Sequence, residues 1–324
     1  MRLDTRHGHK HLTRMTMSPL SNAPRRKPHT EAFLQKTIRN RKFDEATEAI
    51  SRSHKTTGFN PRGLMLLGAS GVGKSTLVNN YRKKFPDIVY EDRTERPILY
   101  VSLHARVTVN DILCSLLAAC GDPEPDKGTA RSLVMRFNRL AKSLGVQLII
   151  IDEIQHVLPE HTQRRTQEAA DAIKSISTDT RIPFILVGLP HGIRLLTDTI
   201  QSRREEDQLI RRFNAPFHLE PAGLGTNAWK NLMAGYQEAI GVPCINLTDE
   251  EMLKRFHLAT RGLHGFVSTL LEHALEETDG EQVCMQHLGR AFEFSTGCLG
   301  NTGNPFLMPM SQVDRALALR ESND

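Results

Sequence analysis

Two kinds of hydrophobic pattern alternate along the chain. LMLL (64–67), ILYVSL (98–103), LIIIDE (148–153) and PFILVGL (183–189) carry short runs that are apolar at nearly every position. Such runs predict strands buried on both faces of a parallel sheet, since a half-exposed strand would alternate apolar and polar. FHLEP (217–221) predicts one further strand. Between these runs apolar residues return every three to five positions, as in Phe33, Leu34, Ile38, Phe43, Ala46 and Ile50. That spacing predicts a helix from Thr30 onward, another after the glycine turn ending near FPD, and others over 109–120, 129–143 and 163–178. Strands separated by helices predict a sheet covered on both faces. Beyond Pro221 the strands stop, and helices are predicted over 226–240, 248–259, 265–278 and 284–295. The expected organisation is a polar arm over 1–29, an α/β domain over 30–222, a small helical domain over 223–295 and a tail over 296–324. The tail contains NPFLMP and a short final helix.

Charge sharpens the first boundary. Residues 1–30 hold seven lysines and arginines against Asp4 alone, so the arm accounts for the formal net charge of +5 and the rest is nearly neutral. With its four histidines, prolines and few large apolar residues, the arm reads as disordered, and it suits either a polyanion partner or a solvated tail. No run nears the roughly 18 apolar residues that span a membrane. The basic start has no apolar segment behind it, so no secretory signal is read. Five cysteines without CxxC spacing argue against a zinc site or disulfide framework and for a reducing cytoplasm.

The chemistry lies at strand ends. Gly68-Ala69-Ser70-Gly71-Val72-Gly73-Lys74-Ser75 fits GxxxxGK[ST], the Walker A pattern, with a predicted strand before it and a helix after it. The glycines let backbone N–H groups converge on phosphate oxygens, and the helix start adds positive potential. Gly68, Ser70, Gly71, Val72, Gly73 and Thr76 are expected to bind ATP. Lys74 is expected to reach its β- and γ-phosphates, and Ser75 to ligate Mg²⁺. LIIIDE reads as Walker B: Asp152 for the metal and nucleotide, Glu153 as the general base that polarises water. Gln155 and His156 follow directly. Either they sense the γ-phosphate and help place water, or they begin a helix facing solvent or a neighbouring subunit; the second is the preferred reading. SRREEDQLIRRF brings Arg203, Arg204, Arg211 and Arg212 close together. They form either a solvated charged helix or an arginine finger for a neighbouring subunit's site. The RRF ending, just before the last strand, favours the finger.

The order of Walker A, an intervening strand, IIIDEIQHV, ILVGLP, DQLIRRF and then helices resembles an AAA+ ATPase: a P-loop core whose parallel sheet is covered by helices, followed by an all-helical lid. More closely it resembles the TnsC/TniB family of transposition regulators of bacterial DNA transposons, some of them CRISPR-associated. The resemblance spans about residues 30–310. It implies cytoplasmic, ATP-bound subunits that form a homo-oligomeric ring or filament on double-stranded DNA. It also implies partners, a target selector of the TnsD/TniQ type and a transposase. By the family's RF position, Arg212 is the expected finger and Arg211 the reserve. Family DNA contacts come partly from the region before Walker B. Here that region offers Arg106, Thr108, Lys127, Thr129, Arg131 and Arg136 as phosphate contacts, with Lys127 and Arg131 preferred because they flank a glycine turn.

Two features depart from the family pattern. Gly188-Leu189-Pro190 stand where a polar sensor 1 residue should end its strand. TRGLHGF offers Arg261 and His264 near sensor 2, neither in register. Two other functions share much of this pattern: a helicase loader or initiator-like ATPase, and a nucleotide-gated switch that binds proteins and no DNA.

Overall fold

The computed structural model describes residues 25–104, 107–158, 163–197, 211–295 and 303–322. In chain order the first elements are α1 (Pro28–Leu34), α2 (Arg41–His54), β1 (Leu64–Gly68), α3 (Lys74–Arg82), β2 (Ile88–Val89), β3 (Thr94–Glu95) and β4 (Ile98–Ser102). Next come α4 (Val109–Ala119), α5 (Ala130–Ser143), β5 (Leu148–Asp152), α6 (Gln163–Thr180), β6 (Phe184–Gly188), α7 (Arg194–Thr197) and β7 (Phe217–Leu219). Helices alone follow: α8 (Asn227–Ile240), α9 (Glu250–Thr260), α10 (His264–Glu277), α11 (Met285–Ser295) and α12 (Met310–Glu321).

The main sheet has five strands in the order β4-β5-β6-β1-β7, and every pairing is parallel. β1, β5 and β6 are buried along their whole length, as their unbroken apolar runs require. Side chains alternate across the sheet all the same. Met65 and Leu67 of β1 enter one core with Leu113, Phe137 and Ile173 from α4, α5 and α6. Leu64 and Leu66 enter the other with Ile50 of α2 and Leu77 of α3. Side-chain caps fix several helix starts. Asn40 accepts from Phe43 N at 2.9 Å, and Thr108 and Asp111 form a capping box at α4.

The helix expected from Thr30 to Ile50 is two helices. Asn40 caps the second, and Ile38 in the linker is buried in the core of the C-terminal helices beside Phe33. The basic residues just before α1 are engaged as well. Lys27 donates from its backbone N to Glu276 Oε1 at 3.1 Å and from Nζ to Thr278 O at 2.9 Å; Arg26 pairs with Glu272 at 2.8 Å. Residues 25–29, read as part of a disordered arm, are thus tied to the end of α10, because this acidic helix offers them partners. The remainder of the arm, residues 1–24, lies outside the described residues. A short antiparallel hairpin, β2–β3, was not read from the sequence; its two-residue strands are too brief to leave a period.

α8–α11 bury Trp229, Tyr236 and Phe256 in a core of their own. NPFLMP belongs to it: Phe306 is buried against Phe256, ring centroids 5.1 Å apart. Arg255, 5 % exposed, holds this stretch by donating to Met308 O at 2.9 Å and pairing with Glu251 at 2.8 Å. α12 then docks on α9 through Val313 and Leu317. No helix among the described residues is long and apolar enough to cross a membrane.

The passage from sheet to helices is clamped by one glycine. Ala222 N donates to Gly262 O at 3.1 Å, Gly262 has φ +69°, and a Cβ there would lie 2.1 Å from Ala222 O. Gly262→Ala is therefore expected to destabilise the fold by at least about 2 kcal/mol, combining left-handed strain with a backbone clash. Thermal unfolding followed by circular dichroism checks this; an unchanged midpoint would show that the clamp has no weight.

Candidate functional site

Parallel strands carry the sequence-predicted residues to one edge of the sheet. Gly68 ends β1, and the loop returns through Gly71 (φ +78°) and Gly73 (φ +102°) into α3. Both glycines hold the left-handed backbone that turns N–H groups inward. Gly68 has a second duty, since a Cβ there would meet Leu219 O at 2.4 Å. Lys74 is 8 % exposed and donates from Nζ to Gly68 O at 2.7 Å and Ala69 O at 2.9 Å. Burial pushes its pKa down, while the carboxylates of Glu153 and Asp152 push it back up.

Asp152 stands two strands away at the end of β5, 2 % exposed. Its Oδ2 accepts from Ser75 Oγ at 3.3 Å and from Tyr100 OH at 3.1 Å, and its Oδ1 accepts from Glu153 N at 2.9 Å. Burial raises its pKa above the ordinary carboxylate value, against those three donors. A hydroxyl and a carboxylate meeting here form an all-oxygen donor set, which fits a hard cation such as Mg²⁺. Tyr100 was missed in the sequence, though a tyrosine inside an otherwise apolar strand was the available signal.

Glu153 turns the chain sharply. Its backbone is left-handed (φ +59°, ψ +40°), and a short 3-10 turn, Ile154–Val157, follows. Its carboxylate accepts from Gln155 Nε2, and Gln155 Oε1 accepts from Leu189 N at 3.2 Å. Gln155 therefore faces inward, against the preferred reading of a segment facing solvent or a neighbour.

A cavity of about 350 Å³ spans this edge, with Ser70, Gly71, Lys74, Ser75 and Glu153 on its floor. Phe33 of α1, Ile38 of the linker before α2 and Tyr236 of α8 contribute apolar walls. A second cavity of about 630 Å³ adjoins it at Gly73, Thr76 and His264, and Val72 lines that one. His264 stands between the two. Its Nδ1 is 2.6 Å from Tyr236 OH, and that hydroxyl donates to His264 O at 2.9 Å. Burial pushes the His264 pKa down. The next residue touches the phosphate loop directly, Gly265 N donating to Gly71 O at 2.6 Å. Of the two residues weighed for sensor 2, His264 thus lines the cavity, while exposed Arg261 caps α9 in a left-handed conformation (φ +55°).

The arginine segment lies elsewhere. Arg212 O accepts from Gly63 N at 2.6 Å, Asn214 N donates to Gly63 O at 2.8 Å, and Arg62 donates to Arg211 O. Gly63 precedes β1, so Arg211 and Arg212 sit at the opposite end of that strand from Lys74, roughly 16 Å along it at about 3.3 Å per residue. Arg203 and Arg204 lie outside the described residues, as does Arg106. Lys127 is exposed and paired with Glu124 at 2.6 Å; Thr129 caps α5, accepting from Ser132 N at 3.3 Å; Arg131 is exposed.

A family model described as "Bacterial TniB protein" matches residues 34–223, more than half of the chain. The chain belongs to the TniB family. Among solved structures, this TniB-family chain is similar to the Aeropyrum pernix ORC1 protein in complex with DNA, with TM-score 0.57 and 16 % identity over 82 % of this chain and 69 % of that one. It is also similar to the Aeropyrum pernix ORC2 protein in its ADPNP–ADP complexes (0.56, 16 %, 82 % and 71 %). The Walker-type ATPase PABY2304 of Pyrococcus abyssi is similar too (0.53, 16 %, 90 % and 81 %). Likeness at this identity establishes the fold, an AAA+ P-loop core with a helical C-terminal region. No curated protein matches the chain.

The buried Asp152 carries a stability consequence. Its pKa is raised in the folded state, so its charge disfavours folding at neutral pH, where the unfolded chain ionises it in water. That cost fades as pH falls through the raised folded-state value and is gone only well below about 4, the unfolded value, where both states hold the proton. Asp152→Asn is expected to raise the thermal midpoint at neutral pH by a few degrees, with the gain shrinking under acid. A lower midpoint at neutral pH would mean that the lost hydrogen bonds outweigh burial.

Proposed function

We propose that this TniB-family protein is an ATPase that assembles on double-stranded DNA and links a target-selection protein of the TnsD/TniQ type to a transposase. The observation carrying the ATPase reading is that Lys74, Ser75 and Glu153 line one cavity, with the buried Asp152 accepting from Ser75 beside it. Backbone N–H groups of the glycine loop and the Lys74 ammonium bind the phosphates. Ser75 and Asp152 hold Mg²⁺, which when bound neutralises charge on the β- and γ-phosphate oxygens. Glu153 lines the cavity with a carboxylate able to take the proton of an attacking water. The family membership supports transposition as the setting; Lys127 and Arg131 are the proposed phosphate contacts to DNA.

The position of Arg212 supports a site completed between subunits. It lies at the far end of β1 from its own phosphate loop, so its side chain serves the nucleotide of a neighbour. An arginine supplied in this way is worth roughly 10³–10⁵ in rate.

Lys74→Ala is expected to lose measurable affinity for a fluorescent ATP analogue, and retained affinity would overturn the phosphate-cradle reading. Glu153→Gln should bind ATP normally, lose turnover and form longer-lived assemblies on duplex DNA. Arg212→Ala should bind ATP as a monomer and fail to hydrolyse it. Mixing Arg212→Ala with Glu153→Gln creates some interfaces that pair an intact Glu153 with an intact Arg212, so activity should partly return. If the mixture co-assembles and stays inactive, the arginine does not act between subunits. Electron microscopy with duplex DNA and a non-hydrolysable analogue reports the assembly itself. Bare DNA under those conditions would favour a protein-binding switch without DNA.

A further inference from the structure

β6 lies between β1 and β5, so its end faces the region between the phosphate loop and Glu153. It brings no polar side chain there, only Gly188 and then Leu189 and Pro190. The polar group comes instead from the turn after β5. Gln155 reaches across, its Oε1 3.2 Å from Leu189 N and its Nε2 on Glu153 Oε2.

This arrangement has little freedom. A backbone N–H can only donate, so Leu189 N fixes which end of the Gln155 amide is oxygen. The NH₂ end must then face Glu153, and an ionised carboxylate can only accept. The space is closed as well. A Cβ at Gly188 would lie 2.6 Å from Gln155 Oε1 and 2.7 Å from Ile154 Cγ2, so a glycine at the end of β6 is what admits the amide. The left-handed backbone of Glu153 is what turns Gln155 back toward β6, two residues later.

We propose that Gln155 is a positioning residue, which holds the Glu153 carboxylate in place and ties it to the end of β6, with Gly188 as its required neighbour. One carboxylate oxygen is occupied by the amide, and the other is left for water. The proposal rests on Glu153 being the general base.

Gln155→Met keeps the bulk of the side chain and removes both the donor to Glu153 and the acceptor for Leu189 N. In steady-state hydrolysis by the full chain with duplex DNA, kcat should fall roughly 10- to 100-fold, a share of the 10²–10⁴ that a positioned base contributes, with KM for ATP and the thermal midpoint little changed. Gly188→Ala, which displaces the amide without touching it chemically, should give the same split between kcat and KM. In a Glu153→Gln background, single-turnover measurements should show no further loss from Gln155→Met, since the residue acts through Glu153.

The outcomes separate the proposal from its premise. If Glu153→Gln hydrolyses ATP at the wild-type rate, Glu153 is not the base and the proposal falls with it. If Glu153→Gln is inactive while Gln155→Met keeps full kcat or exceeds it, the base stands and the positioning role is overturned. An equal loss from Gln155→Met in both backgrounds also overturns it, because that is the behaviour of a residue supporting the fold.

Discussion

The parallel alignment of five strands is the constraint from which the site follows. Because every strand runs the same way, all carboxyl ends emerge at one edge, and the phosphate loop, Asp152 and Gly188 are neighbours there although 120 residues separate the first from the last. Antiparallel insertion of any central strand would send its terminal residues to the far side. The same alignment places the arginine segment beside the start of β1. One sheet thus has two chemically distinct rims, one carrying carboxylates and the phosphate loop, the other carrying arginine.

Second in weight is the contact between helix and loop. α10 begins directly against the phosphate loop, and Gly265 has no side chain because a Cβ there would lie 3.0 Å from Gly71 O. The linker before α2 closes the same space from another side, with Ile38 buried among the C-terminal helices. The cavity is therefore lined by parts of the chain that are remote in sequence: residues 33–38, the glycine loop, Glu153, Tyr236 of α8 and the start of α10.

What the sequence made legible divides by the range of the interaction. Lys74, Ser75, Asp152 and Glu153 announce themselves because each sits at a fixed offset from an apolar run, and β-strand geometry converts that offset into a position. The five strands of the main sheet were legible for the same reason, whereas the two-residue strands β2 and β3 were not. The break between α1 and α2 was not, since apolar spacing continues across it; the deciding partners of Ile38 lie some 200 residues away. Nor was the inward turn of Gln155, which depends on a backbone donor in a different strand and on a glycine that reads, in sequence, as a missing polar residue. Tyr100 and Gly265 escaped because a tyrosine in a strand and a glycine near a helix start have many commoner explanations. Local chemistry was readable, then, while pairings across the fold were not.

The hydrogen bond from Gly265 N to Gly71 O has a thermodynamic meaning beyond its length. The loop that would grip a nucleotide and the start of α10 share a hydrogen bond, with no spacer between them. A tilt of α10 would have to move or break this bond, and so would a reshaping of the loop. Free-energy coupling between two sites is reciprocal, so a partner that loosens nucleotide by tilting the helices must itself be loosened by nucleotide by the same factor. A molecule wired in this way does not need separate devices for loading and unloading. One contact, read from either side, serves both directions.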